Sequence, residues 1–194
     1  MEILLIRHGK TPGNLRGAYV GRTDEPLSPE GREALLSFHY ERPELIFSSP
    51  MKRCLETAAI LFPGMEPEVI EDLRECDFGR FEMHTYQELS GDASYQAWID
   101  SGGLSPFPEG ESHEGFIKRC QSGFLQALDL CEKKDVDTAA MVIHGGSIMA
   151  ILDRWSKPHK DYFSWQVKNG CGIRVTCEKD RPSGEELSLT WEIL

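Results

Sequence analysis

The sequence predicts an α/β fold: a three-layer αβα sandwich with a mostly parallel sheet and one cap insertion. Three observations carry that expectation. Two apolar runs, Ile3-Leu4-Leu5-Ile6-Arg7-His8-Gly9 and Met141-Val142-Ile143-His144-Gly145-Gly146, each end in a His-Gly step. Between them, short apolar runs alternate with stretches of helical spacing, as expected of a parallel sheet covered on both faces. The stretch from Met83 to Glu114 breaks the alternation, with Gly91, Gly102, Gly103, Pro106, Pro108 and Gly110 set among Tyr86, Tyr95, Trp98 and Phe107. It reads as a cap near residues 83–114 on a single domain spanning 1–194; the competing reading is a surface excursion with no role. A chain of 194 residues is long enough to bury one sizeable core.

Taken in order, Ile3 to Ile6 reads as a buried strand. Ser28 caps a helix that Pro29 opens. Leu45-Ile46-Phe47 is a second strand, and Ser49-Pro50 opens a helix running through Ile60. Val69-Ile70 is a third strand. Ala139 to Ile143 is a fourth, followed by a helix from Ser147 to about Trp155. Cys171 to Cys177 and Leu187 to Ile193 alternate like paired strands joined through Asp180-Arg181-Pro182-Ser183-Gly184. There is no internal repeat.

Composition narrows the function. Hydrophobic content of 40% and charged content of 27% are those of an ordinary globular protein. A formal charge of -11 argues against nucleic acid or an anionic membrane as partner. It leaves room for a small anion held by a local arginine cluster. The cysteines (Cys54, Cys76, Cys120, Cys131, Cys171 and Cys177) contain no Cys-x-x-Cys pair, so no zinc site and no other metal is expected. The apolar run ahead of Arg7 is too short for a signal peptide or membrane span, and a cytoplasmic protein with reduced thiols is expected. Nothing calls for a cofactor, and the oligomeric state is left open.

In an open α/β sheet, ligands bind beyond the carboxyl ends of the strands. Two strands ending in His-Gly therefore place two imidazoles on one rim, and Arg7 suits that rim to an anion. His8 and Arg7 are followed by Thr11 and Asn14, and this Arg-His-Gly-x-Thr-x-x-Asn pattern resembles the histidine phosphatase superfamily, also called phosphoglycerate mutase-like. The resemblance continues through Ser48-Ser49-Pro50-Met51-Lys52-Arg53-Cys54-Leu55-Glu56-Thr57-Ala58, through Leu73-Arg74-Glu75-Cys76-Asp77-Phe78-Gly79, and through Val142-Ile143-His144-Gly145-Gly146. One Arg-His-Gly is a weak signal; four segments in the family's order are a strong one.

The resemblance implies a metal-independent phosphomonoesterase acting on a small-molecule phosphate. His8 would be the nucleophile, neutral and held through one ring nitrogen. Arg7 and Arg53 would bind phosphoryl oxygens, with His144, protonated beside an anion, as another donor and Asn14 and Gly145 adding contacts. Glu75 would protonate the leaving oxygen, then take a proton from water, which needs a raised pKa. Glu82 is a near competitor for that role. Taken alone, each residue has a plainer reading: a strand-end histidine is usually structural, and Arg53 would be an exposed helix residue. His39, His84, His113 and His159 are read as structural or surface residues.

Two further segments bear on substrate. Where the family often has Trp-Glu-Gly, this chain has Phe81-Glu82-Met83, which bears on the turn into the cap. Pro108-Glu109-Gly110-Glu111-Ser112 resembles the family's Pro-x-Gly-Glu-Ser segment, with Glu111 as an orienting residue. Gly17 to Ser28 is similar to the corresponding segment of bacterial α-ribazole phosphatases, implying α-ribazole 5'-phosphate as a substrate, with Tyr86, Tyr95, Trp98 and Phe107 either stacking on its flat base or forming the cap's own core. The alternatives are a phosphoglycerate mutase and a non-catalytic phosphate-ligand binding protein. Asp135-Val136-Asp137-Thr138 lacks the preceding apolar strand of an aspartyl phosphatase. Cys-x5-Arg, His-Glu-x-x-His and Gly-x-Gly-x-x-Gly motifs are absent from the chain.

Overall fold

A computed structural model describes residues 1–179 and 186–194. Its centre is strand β1 (Glu2–Arg7), in which Ile3 to Ile6 are buried. Alternate residues of a strand face opposite ways, so an all-apolar run needs cover on both sides. Ile3 and Leu5 pack with Phe47, Met141 and Ile143 against helices α5 (His113–Lys134) and α6 (Gly145–Trp155). Leu4 and Ile6 pack with Ile46, Ala140 and Val142 against Cys54, Ala58 and Phe62, on and just after α3 (Lys52–Leu61). This is the three-layer arrangement the alternation implied. Each such fully buried aliphatic or aromatic side chain contributes about 1.5–3 kcal/mol.

The described sheet has the order β3-β2-β4-β1-β5-β6. Strands β2 (Leu45–Ser48), β3 (Glu68–Val69) and β4 (Thr138–Ile143) run parallel with β1, and β5 (Gly172–Thr176) pairs antiparallel with both β1 and β6 (Thr190–Ile193). The two C-terminal strands pair as expected but are shorter than the alternation suggested; the turn-rich segment Asp180 to Gly184 lies outside the described residues. In the register of β1 with β4, Arg7 stands opposite Ile143. The residues that follow each, His8 and His144, therefore emerge side by side on the carboxyl rim.

The helix starts agree with expectation in one place and depart from it in others. Helix α2 (Pro29–Leu35) begins as read, with the Ser28 side chain accepting from the Gly31 amide. Helix α3 begins at Lys52 rather than at Ser49-Pro50, because the Ser49 hydroxyl turns to His144; Asp24 instead accepts the Lys52 amide at 2.8 Å. Helix α6 begins at Gly145, two residues earlier than expected, capped by the backbone of His144 in an extended conformation. Helix α5 drew no expectation. It starts on a Ser112 cap and buries Phe116, Cys120, Phe124, Ala127, Leu128 and Cys131 at helical spacing. A short helix α1 (Pro12–Arg16) precedes α2.

Residues 83–114 contain helix α4 (Ala93–Asp100) and end at the start of α5. Their apolar side chains join a separate cluster: Leu89 and Phe107 with Cys76, Phe81, Phe116, Cys120 and Ala150, flanked by Tyr19, Phe78, Tyr95 and Trp98. No helix among the described residues is long and apolar enough to cross a membrane.

Candidate active site

The ends of β1 and β4 bring His8 and His144 together, with ring centroids 5.1 Å apart and planes at 66°. Both are buried. The His8 Nδ1 lies 2.6 Å from the Gly9 carbonyl oxygen. A carbonyl can only accept, so Nδ1 carries the hydrogen and Nε2 keeps its lone pair. Burial, then the nearby charges of Arg53 and Arg7, hold the His8 pKa well below the ordinary histidine value. The ring is neutral, as a nucleophile must be. The pKa of His144 is likewise held down, by burial first and Arg53 next. A buried ring beside two guanidinium groups is held on the neutral side; the protonation expected from the sequence is that of a ring beside a bound anion, which would oppose this pull.

Arg53 is fully buried, contrary to its plain reading as an exposed helix residue. Its position early in α3 points it under the rim. Nη1 donates to the Thr23 carbonyl at 2.9 Å, Nη2 to the Gly21 carbonyl at 2.7 Å, and Nε to His144 Nδ1 at 3.4 Å. Arg7 donates from Nη1 to the Val167 carbonyl at 2.8 Å, while its buried Nε has no partner. Asn14 forms a capping box with Thr11, so its side-chain oxygen is taken by the Thr11 amide and only its NH₂ remains to offer. Thr57 links the two halves of the site: its Oγ1 accepts from the Gly9 amide and donates to the Arg53 carbonyl.

Glu75 follows a helical turn at Glu71–Leu73. Its Oε1 accepts from the Cys76 amide at 3.0 Å and its Oε2 from the Gly146 amide at 3.4 Å, at the start of α6. Any side chain at 146 would collide there, since a Cβ would lie 2.5 Å from Glu75 Oε1 and 2.9 Å from the Phe116 ring. Burial raises the Glu75 pKa above the usual carboxylate range, against the opposing pull of the Cys76 amide, Arg53 and Arg7.

Glu82 sits elsewhere. Its carboxylate accepts from the amides of Gly21, Arg22, Thr23 and Phe78 and from the Thr23 hydroxyl. It fixes the loop whose carbonyls hold Arg53. Glu111 forms a two-pronged pair with Arg119, at 3.0 Å and 2.7 Å, and Arg119 Nη1 donates to the carbonyls of Asp72 and Arg74. The pair thereby clamps the backbone that carries Glu75.

A cavity of about 420 Å³ opens over this rim. Its floor is formed by Arg7, Glu75, Gly145 and Gly146, and its walls by Tyr19, Phe78, Trp98, Phe107, Phe116 and Tyr162. Of the four cap aromatics singled out in the sequence, Trp98 and Phe107 line the cavity. Tyr95 stacks behind Trp98 and bonds the Tyr19 hydroxyl, and Tyr86 is exposed. Tyr86 aside, these rings serve as both wall and cap core. His113, read as a structural or surface residue, lies on the cavity wall, and its ring is 5.1 Å from that of Tyr162. Tyr162 and Gln166 were missed, since a short helical turn far along the chain carries no pattern pointing back to the rim. Tyr19 lay inside a segment already singled out.

Comparison with known proteins agrees with this geometry. A family model described as histidine phosphatase superfamily, branch 1, matches residues 3–190. An adenosylcobalamin/α-ribazole phosphatase of Salmonella typhimurium is 26% identical over 188 residues, covering 92% of each chain. The crystal structure of an α-ribazole phosphatase from Shigella flexneri shares the fold with a TM-score of 0.81 at 24% identity, covering 100% of this chain and 96% of that one. A phosphoglycerate mutase structure from Thermus thermophilus gives a TM-score of 0.71 at 29% identity, covering 90% and 92%. With its two strand-end histidines, its buried arginine and a family match over nearly its whole length, the chain belongs to the histidine phosphatase superfamily.

Proposed function

We propose that the protein hydrolyses a small-molecule phosphate monoester through a phosphohistidine on His8. The observation that carries this reading is the pairing of two groups at the sheet's carboxyl rim: a neutral, buried His8 with a lone pair on Nε2, and a Glu75 carboxyl on the cavity floor whose pKa is raised. His8 Nε2 attacks phosphorus while the ester oxygen leaves with the proton of Glu75. Water then attacks the phosphohistidine, Glu75 takes its proton, and phosphate departs with His8 restored. Arg7, Arg53 and His144 hold the phosphoryl oxygens, with the Asn14 NH₂ and the Gly145 amide as neutral donors. The unpartnered Arg7 Nε is a donor awaiting an acceptor of this kind.

The preferred substrate is the monoester of a flat, uncharged alcohol, with α-ribazole 5'-phosphate the favoured member. Beyond Arg7, no cationic side chain among the described residues lines the cavity, and burial keeps His113 on the neutral side of its usual titration. A second phosphate or carboxylate, as in phosphoglycerate or phosphoserine, would find no second cationic partner among the described residues there, whereas a planar base would meet aromatic faces. This weighs against the mutase reading. An idle phosphate-binding protein would have no need of a buried carboxyl with a raised pKa at Glu75. A cytoplasmic location, as expected from the cysteine usage of the sequence, is part of the same proposal.

His8→Ala should abolish turnover of an aryl phosphate, and wild type quenched in base should retain labelled phosphate on histidine. Substantial activity in His8→Ala would overturn the mechanism. In a panel with phosphoserine, 3-phosphoglycerate and sugar phosphates, α-ribazole 5'-phosphate should lead by at least about tenfold in kcat/KM, roughly 1.4 kcal/mol of transition-state discrimination. A smaller lead would leave a broader phosphatase.

A further inference from the structure

The Ser49 hydroxyl is diverted from the task a serine at this position usually performs. It stands ahead of α3 where it would cap the helix, yet its Oγ lies 2.8 Å from His144 Nε2 and only 3.4 Å from the nearest helix-side amide, that of Met51. Ser49 and His144 are both buried without residual exposure. The opposite ring nitrogen, Nδ1, faces Arg53 Nε at 3.4 Å.

A guanidinium N–H can only donate, so Nδ1 must be the lone-pair nitrogen. The ring hydrogen therefore sits on Nε2 and is donated to Ser49 Oγ. We propose that Ser49 is a positioning residue, which fixes His144 as the Nε2–H tautomer and reserves Nδ1 to turn toward the phosphoryl group. The proposal rests on the phosphatase reading for its purpose, though not for its geometry.

Everything that faces His144 fits this assignment. Arg53 and Cys54 face it from α3, with the Cys54 sulfur 3.6 Å from Nε2 and 3.8 Å from Nδ1. The thiol is pushed up to about 12 by burial, so it stays protonated and adds no charge. His8 and Arg7 face it from the end of β1, and Arg119 acts from α5 at longer range. No carboxylate is among these groups, and Ser49 is the partner that holds Nε2 at short distance. When an anion binds beside the two histidines, its charge favours a proton on Nδ1, taken from solvent. The existing Nε2–H to Ser49 bond then anchors one edge of the ring, and the ring pivots about it so that Nδ1–H leaves Arg53 and meets the anion.

The test uses the full-length protein labelled with ¹⁵N-histidine and read by long-range ¹H–¹⁵N correlation. Wild type should show a protonated-type Nε2 and a lone-pair-type Nδ1 for His144. Added inorganic phosphate should move Nδ1 toward the protonated type. Ser49→Ala should mix or reverse the tautomers and lower kcat/KM for para-nitrophenyl phosphate by about ten- to a hundredfold, the range seen when a partner that orients an imidazole is lost, while Ser49→Thr stays within about threefold of wild type. An Nδ1–H tautomer in wild type, an Nδ1 that ignores phosphate, or a Ser49→Ala variant with the wild-type tautomer and turnover would each overturn the proposal. Should Ser49→Ala fail to fold, the wild-type spectrum and Ser49→Thr decide the matter. A chain with the expected tautomer and phosphate response but no turnover would count against the phosphatase reading and leave the Ser49 assignment standing.

Discussion

Two glutamates seven residues apart divide the work of the site. Glu75 touches two amides and faces the cavity floor, whereas Glu82 is surrounded by five donors. Glu75→Gln should slow substrates with poor leaving groups by about 10²–10⁴-fold and spare those with good ones, which need little protonation. Because its pKa is raised, the proton is held at pH values where an ordinary carboxylate has lost it. The alkaline limb of kcat/KM should therefore follow Glu75 and vanish in Glu75→Gln, while the acid limb, set by neutral His8, should lie well below 6.5. Glu82→Gln should instead cost stability, about 1–3 kcal/mol, because an NH₂ would be pressed against donors that need an acceptor. A leaving-group dependence confined to Glu82→Gln would reverse the assignment. The sequence placed His8, Arg7 and His144 at strand ends because strand, rim and reactive side chain are contiguous there. It could not separate Glu75 from Glu82, since the difference lies in which distant loop each carboxylate meets. Nor could it show the neutral His144, which follows from burial beside charges supplied by other elements.

At the scale of elements, the turn into the cap shows the family's missing glycine most directly. Met83, where the family often has Gly, has φ 62, in the left-handed region that favours glycine. Two hydrogen bonds hold it there: its amide donates to the Tyr19 carbonyl, and its carbonyl accepts from Arg16. The left-handed conformation costs a non-glycine residue about 1–2 kcal/mol, and glycine would lose about 0.5–1 kcal/mol of that advantage through its freer unfolded chain. Met83→Gly should thus be up to about 1 kcal/mol more stable by urea unfolding. A clear loss of stability would mean that the methionine side chain contributes packing that outweighs the strain. The elements with strand-period or capped starts were legible: β1, β4, α2 and the β5–β6 pair. Helix α5 was legible in principle, through the Ser112 cap and the spacing of Phe116, Cys120, Phe124 and Ala127, but its polar residues mask the stripe. The start of α3 was misread because Ser49 looks like a cap and serves His144 instead.

For the molecule as a whole, two neutral histidines at the ends of the central strands link function to acid stability. His8 and His144 bind protons in the unfolded chain below about 6.5 but resist them when folded. Their contribution to stability is therefore complete above 6.5 and falls as pH drops, by up to about 1.4 kcal/mol per pH unit for each. Glu75 has the opposite sign: its raised pKa favours the folded state at low pH and loses that advantage as pH rises through the raised value. Two against one leaves a net loss on acidification. Denaturant midpoints at about pH 7 and about pH 5 should differ for wild type, and differ less for His8→Asn. Equal losses would place the acid sensitivity elsewhere.

Arg53 is gripped by the Gly21 and Thr23 carbonyls, which Glu82 in turn anchors through the amides of the same loop. Its rotamer is chosen in advance, so an arriving oxyanion need not pay the roughly 0.5–1.5 kcal/mol of ordering that a mobile side chain would demand. Such a rigid receptor cannot distinguish the phosphoryl end of a substrate from the phosphate it releases. Inorganic phosphate should accordingly inhibit competitively, and raising it during turnover should slow the enzyme in proportion to its occupancy of the site. Progress curves that stay linear at phosphate concentrations well above the substrate KM would show that Arg53 loosens its hold before the product leaves.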